Sequence, residues 1–141
     1  MNDLETERRI LTDYDTIAVV GLSTNPSKAA HAIPAALQAV GYRVIPVHPT
    51  AERILGEPAY RSLADIPVPV QVVEVFRPAD EAPAIVRDAV AIGAKAVWLQ
   101  LHLRSAEAGR IAADAGLLYV QDRCMAVQRA LLRITKAGSA P

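Results

Sequence analysis

Residues 16–21 read TIAVVG, a β-branched apolar run closed by glycine. It has no alternating polar positions to face water, so the run is expected to be a parallel strand buried on both faces. A polar segment containing Pro26, Leu22 to Ala30, follows it, and then an alanine-rich stretch, His31 to Val40, that stops at Gly41. The order strand, loop, helix, stop constrains the fold, because parallel neighbours can be joined only by a crossover.

The pattern recurs along the chain. Tyr42 to Val47 predicts a second strand with Pro46 near its carboxyl end, and His48-Pro49 opens a loop. Gly56 and Pro58 keep Ile54 to Tyr60 irregular, and Ser62 to Ile66 is at most a helical turn. Val70 to Phe76, Ala96 to Leu101 and Leu117 to Val120 predict strands three to five. Helices are expected over Pro78 to Ile92, Ser105 to Ala115 and Met125 to Ile134, with Gly93 and Gly116 ending the first two. Asp3 to Asp13 reads as a short amphipathic helix outside the main layers. Together these elements imply an α/β fold: a doubly wound, Rossmann-like domain with a five-stranded, mainly parallel sheet and helices on both faces. Residues 1–141 are expected to form one domain, with the N-terminal helix over 1–13, the core over 14–135 and a tail over 136–141.

Composition narrows the function classes. The chain has 52% hydrophobic and 21% charged residues, which suits a packed globular core and excludes wholesale disorder. Fifteen Lys plus Arg balance fifteen Asp plus Glu, so no global basic field draws in nucleic acid or anionic lipid. No apolar run is long enough to cross a bilayer, and the acidic start lacks the pattern of a signal peptide. With Cys124 as the only cysteine, neither an intramolecular disulfide nor a cysteine-based metal cluster can form within one chain. A cytoplasmic protein is expected.

In doubly wound sheets ligands bind at the carboxyl ends of the strands, where the strand order reverses. The segments to consider are Gly21 to His31, Val47 to Pro49, Phe76 to Pro78 and Gln100 to Arg104. In the first, backbone N–H groups and a helix start favour an anion, Ser23, Thr24, Asn25 and Ser27 add neutral donors, and Lys28 adds a charge. A helix terminus contributes about 0.3–2 kcal/mol, whereas micromolar binding needs about 8 kcal/mol. Lys28 and an apolar or aromatic ligand portion must supply the rest, which points to a phosphate carried on a larger organic group. A structural reading, in which these polar residues only cap a helix, stands beside the functional one.

The dinucleotide fingerprint G-x-G-x-x-G is absent, and no acid follows the second strand to take ribose hydroxyls; a Walker A loop is absent too. His31, His48 and His102 all fall near the carboxyl edge of the expected sheet, but no metal-binding spacing joins them, so no metal site is assigned. Cys124, near a helix start, is either an accessible thiol or a packed one. Trp98 reads as core or interface. Arg129, Arg133 and Lys136 give the last helix a basic face, solvated or in contact with a phosphate or a partner.

Five segments, IAVVGLSTNPSK, GYRVIPVHP, VVEVFRP, GAKAVWLQLHLR and AGLLYVQDRCMAV, occur in that order between Ile17 and Val127, within a resemblance that covers roughly Asp13 to Leu132. In this order they resemble the small stand-alone coenzyme A-binding proteins of bacteria and archaea. These in turn are similar to the CoA-binding domain of the succinyl-CoA synthetase α-subunit. The resemblance implies a Rossmann-like domain holding CoA or an acyl-CoA. Gly21, Ser23, Asn25, Pro26 and Lys28 match the family's phosphate loop, with Lys28 where arginine is usual. Val47 and Pro49 match its second-strand corner, Phe76 and Arg77 the segment flanking the adenine nucleotide, and Gln100 the fourth-strand end where the pantetheine arm leaves. The chain departs from the pattern at Ala29 (usually proline), His48 (asparagine), His102 (glycine) and Gln128 (an acid). The resemblance supplies no catalytic residue.

Three readings follow: a CoA-binding module without catalytic machinery; an enzyme acting on an acyl-CoA or nucleotide with a loop histidine as acid or base; and a CoA-responsive regulatory subunit. A homo-oligomer or a protein partner is compatible with each.

Overall fold

The computed structural model describes residues 3–136. A helix, α1 (Leu4–Asp13), precedes β1 (Thr16–Val20), α2 (Ala29–Ala39) and β2 (Arg43–Val47). Two short strands, β3 (Arg53–Ile54) and β4 (Glu57–Pro58), and a 3-10 turn (Leu63–Asp65) lead to β5 (Val72–Val75). A second 3-10 turn (Ala79–Glu81) opens α3 (Ala82–Ala91), and β6 (Ala96–Leu99), α4 (Ala106–Asp114), β7 (Leu118–Val120) and α5 (Met125–Leu131) complete the order.

The five main strands form one sheet in the order β2-β1-β5-β6-β7, every pair parallel. The chain runs outward from β1 to β2 and then returns to the other side of β1, so the order reverses between β1 and β5. Side chains alternate along each strand between two covered faces, which explains why the buried runs are apolar at nearly every position, Glu74 of β5 being an exception. Ile17, Val19, Val72, Ala96 and Trp98 pack with Leu37 of α2 and Met125 of α5. Ala18, Val73, Val75, Val97 and Leu99 pack with Val86 of α3 and Ala108 and Ala112 of α4.

Three local expectations are corrected. α1 does not lie outside the layers: Ile10 and Leu11 are fully buried in the core, and Tyr42 Oη donates to the Leu11 carbonyl at 2.6 Å. Its buried Glu7 accepts from Gln128 Nε2 at 2.6 Å, with Arg123 Nε 3.9 Å from its other oxygen. An acid at position 128 would set two carboxylates against each other, so the glutamine there is matched to Glu7. The segment expected to be irregular at 54–60 instead forms the β3-β4 hairpin. Leu55 and Gly56 both take positive φ (56° and 77°) in its two-residue turn, the geometry that matches strand twist. The hairpin leads into Tyr60, whose N–H donates to the Pro46 carbonyl. Proline is tolerated inside β2 because β2 is an edge strand. Finally, α5 stops at Leu131 because Arg133 turns left-handed (φ 56°), returning Ile134 to the core. The expected tail lies, from residue 137 on, outside the described residues.

Among the described residues no helix is long and apolar enough to cross a membrane.

Candidate functional site

β1 and β5 lie side by side, yet α2 and α3, which follow them, pack on opposite faces of the sheet. The divergence opens a crevice at their carboxyl ends. A cavity of about 590 Å³ occupies it, lined from the end of β1 (Gly21, Leu22, Ser23), the start of α2 (Lys28, Ala30), the end of β2 (Val47, His48, Pro49) and the end of β5 (Phe76, Arg77).

Gly21 is required where it stands. Its φ is +91°, and a Cβ would sit 3.1 Å from the Phe76 carbonyl oxygen and 3.0 Å from Arg77 Cδ. The chain after β1 passes directly against the chain after β5, and only glycine meets both the left-handed backbone and the close approach. The loop beyond is organised by its own side chains. Ser23 Oγ accepts from Asn25 N at 3.0 Å, and Asn25 Oδ1 accepts from Ser27 N at 3.0 Å and Ser27 Oγ at 2.8 Å. These are the short-range bonds by which serine and asparagine replace regular structure in turns. Asn25 and Pro26 therefore shape the loop without lining the cavity. α2 begins at Ala29, two residues before the expected His31, with Lys28 at its N-cap and no side chain capping its first turn. Lys28 forms no ion pair with another described residue.

At the end of β2, His48 Nδ1 accepts from Thr50 N at 3.1 Å and Ala51 N at 2.9 Å. This is the role an asparagine oxygen plays in an Asx-turn, which accounts for histidine where asparagine is usual. An Nδ1 that accepts two N–H groups is unprotonated, and the ring carries its proton on Nε2. Of the three histidines, His48 alone lines the cavity. His31 sits half-buried on α2 and His102 lies beyond β6, so the shared histidine cluster is not assembled. No group of three or more His, Cys, Asp or Glu among the described residues is placed to hold a metal ion.

Two cavity-lining charged residues were missed from the sequence. Arg61 Nη1 donates to the carbonyls of His48 (2.6 Å) and Ala51 (2.8 Å), and Nη2 to that of Thr50 (3.2 Å). It thus clamps the loop after β2 while bringing its charge to the cavity. The contact is tertiary, and no local pattern announces it. Glu81 grips Arg77 with two bonds, Nε to Oε1 at 3.1 Å and Nη2 to Oε2 at 2.8 Å. Those hydrogen bonds push the Arg77 guanidinium above its ordinary value and hold the Glu81 carboxyl below its own. Here the four-residue spacing was a usable signal.

Of the other sequence candidates, Gly21, Ser23, Lys28, Val47, Pro49, Phe76 and Arg77 are brought together around the cavity. Gln100 is not: its buried side chain turns inward, and Oε1 accepts from Met125 N at 3.4 Å. Beneath the site, Glu74 on β5 lies between Val19 and Trp98. It is fully buried, and neither carboxyl oxygen has a hydrogen-bond partner among the described residues. Burial pushes its carboxyl up to about 8, because desolvation disfavours the charged form.

The same architecture is found in solved structures. A hypothetical protein from Pyrococcus horikoshii OT3 is 38% identical with a TM-score of 0.89, covering 94% of each chain. A protein from Thermus thermophilus is 36% identical with a TM-score of 0.86, covering 93% of this chain and 99% of that one. The dinucleotide-forming acetyl-coenzyme A synthetase 1 of Ca. Korarchaeum cryptofilum, solved with phosphate and ADP, is 27% identical with a TM-score of 0.67. There the match spans 84% of this chain but only 27% of the synthetase. YneT, an uncharacterised protein of Bacillus subtilis (strain 168), is 34% identical over 89% of this chain and 93% of its own. The CoA binding domain model matches residues 15–130, from the residue before β1 into α5. The crevice at the strand reversal is thus part of a shared fold, and this chain belongs to the CoA-binding domain family.

Proposed function

We propose that the protein binds coenzyme A or an acyl-CoA in the crevice between β1 and β5, as a single-domain binding module with no catalytic residue assigned. Phosphates meet the loop from Ser23 to Lys28 and the adenine lies near Pro49 and Phe76; Gln100, turned inward onto Met125 N, takes no part in holding the pantetheine arm. The observation that carries this reading is a cavity at the switch point that combines a start of α2 without a side-chain cap, a Lys28 with no ion-pair partner among the described residues, and apolar walls from Val20, Leu22, Val47 and Ile85. Its volume of about 590 Å³ falls in the roughly 300–1,000 Å³ range of small-molecule sites.

The energetics need both parts. A helix start supplies about 0.3–2 kcal/mol, and a hydrogen bond to a charged group about 1.5–3 kcal/mol. Neither alone reaches the roughly 8 kcal/mol of micromolar binding. The apolar walls add about 25 cal/mol for each Å² they cover. A ligand with phosphates at one end and an adenine ring or acyl-pantetheine at the other uses both contributions, whereas free inorganic phosphate uses one.

Native mass spectrometry of the purified protein tests this reading. An adduct with the mass of CoA or an acyl-CoA supports it. If no adduct forms even after incubation with CoA, the reading fails.

A further inference from the structure

The cations around the cavity are not equally available. Lys28 has no ion-pair partner among the described residues, and Arg61 directs both terminal nitrogens to carbonyls of the loop after β2. Arg77 directs Nε and Nη2 to Glu81. Both members of that pair line the cavity, and both are about half exposed (48% and 44%). Among the described residues Glu81 is the only acid lining it, placed there by the 3-10 turn that opens α3. An anion entering the crevice meets Lys28 directly, but it reaches the two-donor edge of Arg77 only by displacing a carboxylate.

We propose that Glu81 is a specificity-determining residue of this site: it latches Arg77 and so sets the strength an anionic group needs before it gains the second cation. This inference rests on the CoA-binding reading and deepens it. A planar guanidinium offers its best two-bond geometry along the edge that Glu81 occupies. A phosphate of the ligand must exchange with the carboxylate there, and the carboxylate repels every phosphate that does not. Weakly held anions such as inorganic phosphate are left with Lys28 alone. A ligand anchored elsewhere by its organic part has the additional binding energy to open the latch.

The test is calorimetric titration of the full chain with CoA, ADP and pantetheine, comparing wild type with Glu81→Gln, Asp80→Asn, Arg77→Ala and the double variant Arg77→Ala/Glu81→Gln. Glu81→Gln keeps the side-chain shape and removes the charge. It is expected to tighten CoA and ADP binding about three- to tenfold and to leave pantetheine, which carries no phosphate, unchanged. Asp80→Asn removes a charge at the adjacent exposed position, which does not line the cavity, and is expected to shift CoA affinity by less than twofold. In the Arg77→Ala background, Glu81→Gln is expected to gain less than twofold. Weaker CoA binding by Glu81→Gln would overturn the latch, as the mark of a carboxylate that accepts a donor from the ligand. Unchanged affinity, or an equal gain without Arg77, would overturn it as well. A wild-type protein that takes up neither CoA nor ADP would instead overturn the binding reading itself.

Discussion

The carboxyl edge of the sheet opens twice, and the two openings differ. Between β1 and β5 the following helices diverge, and the gap is a cavity lined by Lys28, which has no ion-pair partner among the described residues. Between β6 and β7 the helices also diverge, α4 to one face and α5 to the other, but there the chain stitches the gap shut. Asp122 accepts from His102 N at 2.8 Å and from Arg104 Nε and Nη2 at 3.0 and 2.7 Å, and these bonds hold its carboxyl below the ordinary range. The stitch holds His102 and Asp122 at positive φ, 75° and 56°, a conformation that costs residues with a Cβ about 1–2 kcal/mol. Divergent helices create a crevice; whether it becomes a site depends on which polar groups the neighbouring loops leave unpaired.

The largest expected effect comes from the strand between the two openings. Glu74 is held protonated, with its carboxyl near 8 against an ordinary 4.5. A group raised in the folded state stabilises fully below its unfolded value and loses that contribution as pH climbs towards the folded one. Urea denaturation should therefore show Glu74 costing about 1.4 kcal/mol per pH unit between about 4.5 and 8, a few kcal/mol in all. Glu74→Met should remove that slope and be the more stable protein at neutral pH. A slope that persists in the variant would place the buried charge elsewhere.

Gly21→Ala comes next, and Gly93→Ala is its control. Both glycines are left-handed (φ 91° and 79°), but a Cβ at Gly93 meets nothing within 4 Å while one at Gly21 meets the chain after β5. Gly93→Ala should cost about 1 kcal/mol. Gly21→Ala should cost roughly 2–4 kcal/mol as backbone is pushed aside and should weaken CoA binding, since the displaced segment carries Phe76 and Arg77. Equal losses in thermal stability would mean that the two chain segments at the switch point are not tightly apposed.

Lys28→Ala separates binding from stability. Loss of a charge-assisted contact worth about 1.5–3 kcal/mol weakens CoA by roughly ten- to hundredfold, with pantetheine far less affected and the melting temperature unchanged. Equal losses for both ligands in calorimetry would remove Lys28 from the phosphate contact. The smallest effect belongs to the stitched half: His102→Gly relieves a left-handed histidine and should stabilise by about 1 kcal/mol, a rise of about 3 °C in the melting temperature, without changing CoA affinity. A fall in stability would show that the imidazole itself supports the turn.

The alternation of strands and helices was legible because five apolar runs and their glycine stops are long enough to dominate any local competition. The site was legible where it follows from topology: the ends of β1, β2 and β5 meet because the strand order reverses between β1 and β5. The β3-β4 hairpin was not, because two-residue strands carry no periodicity and Leu55 is an unusual residue for a left-handed turn position. Arg61 acts through contacts across a loop that only the folded chain assembles. Glu74 sits inside a run that reads as uniformly buried strand, and nothing local marks it as unpartnered. The family departures become intelligible only in three dimensions: His48 supplies the acceptor an asparagine would, and His102 occupies a left-handed position that glycine would hold without strain.

Chemical-shift mapping of backbone amides during titration with CoA distinguishes the two openings of the sheet edge. Binding in the β1-β5 crevice predicts the largest shifts at Gly21, Ser23, Lys28 and Arg77, with residues 102–104 and 122 little affected. Shifts concentrated at 102–104 and 122, with the loop from Ser23 to Lys28 unmoved, would contradict it.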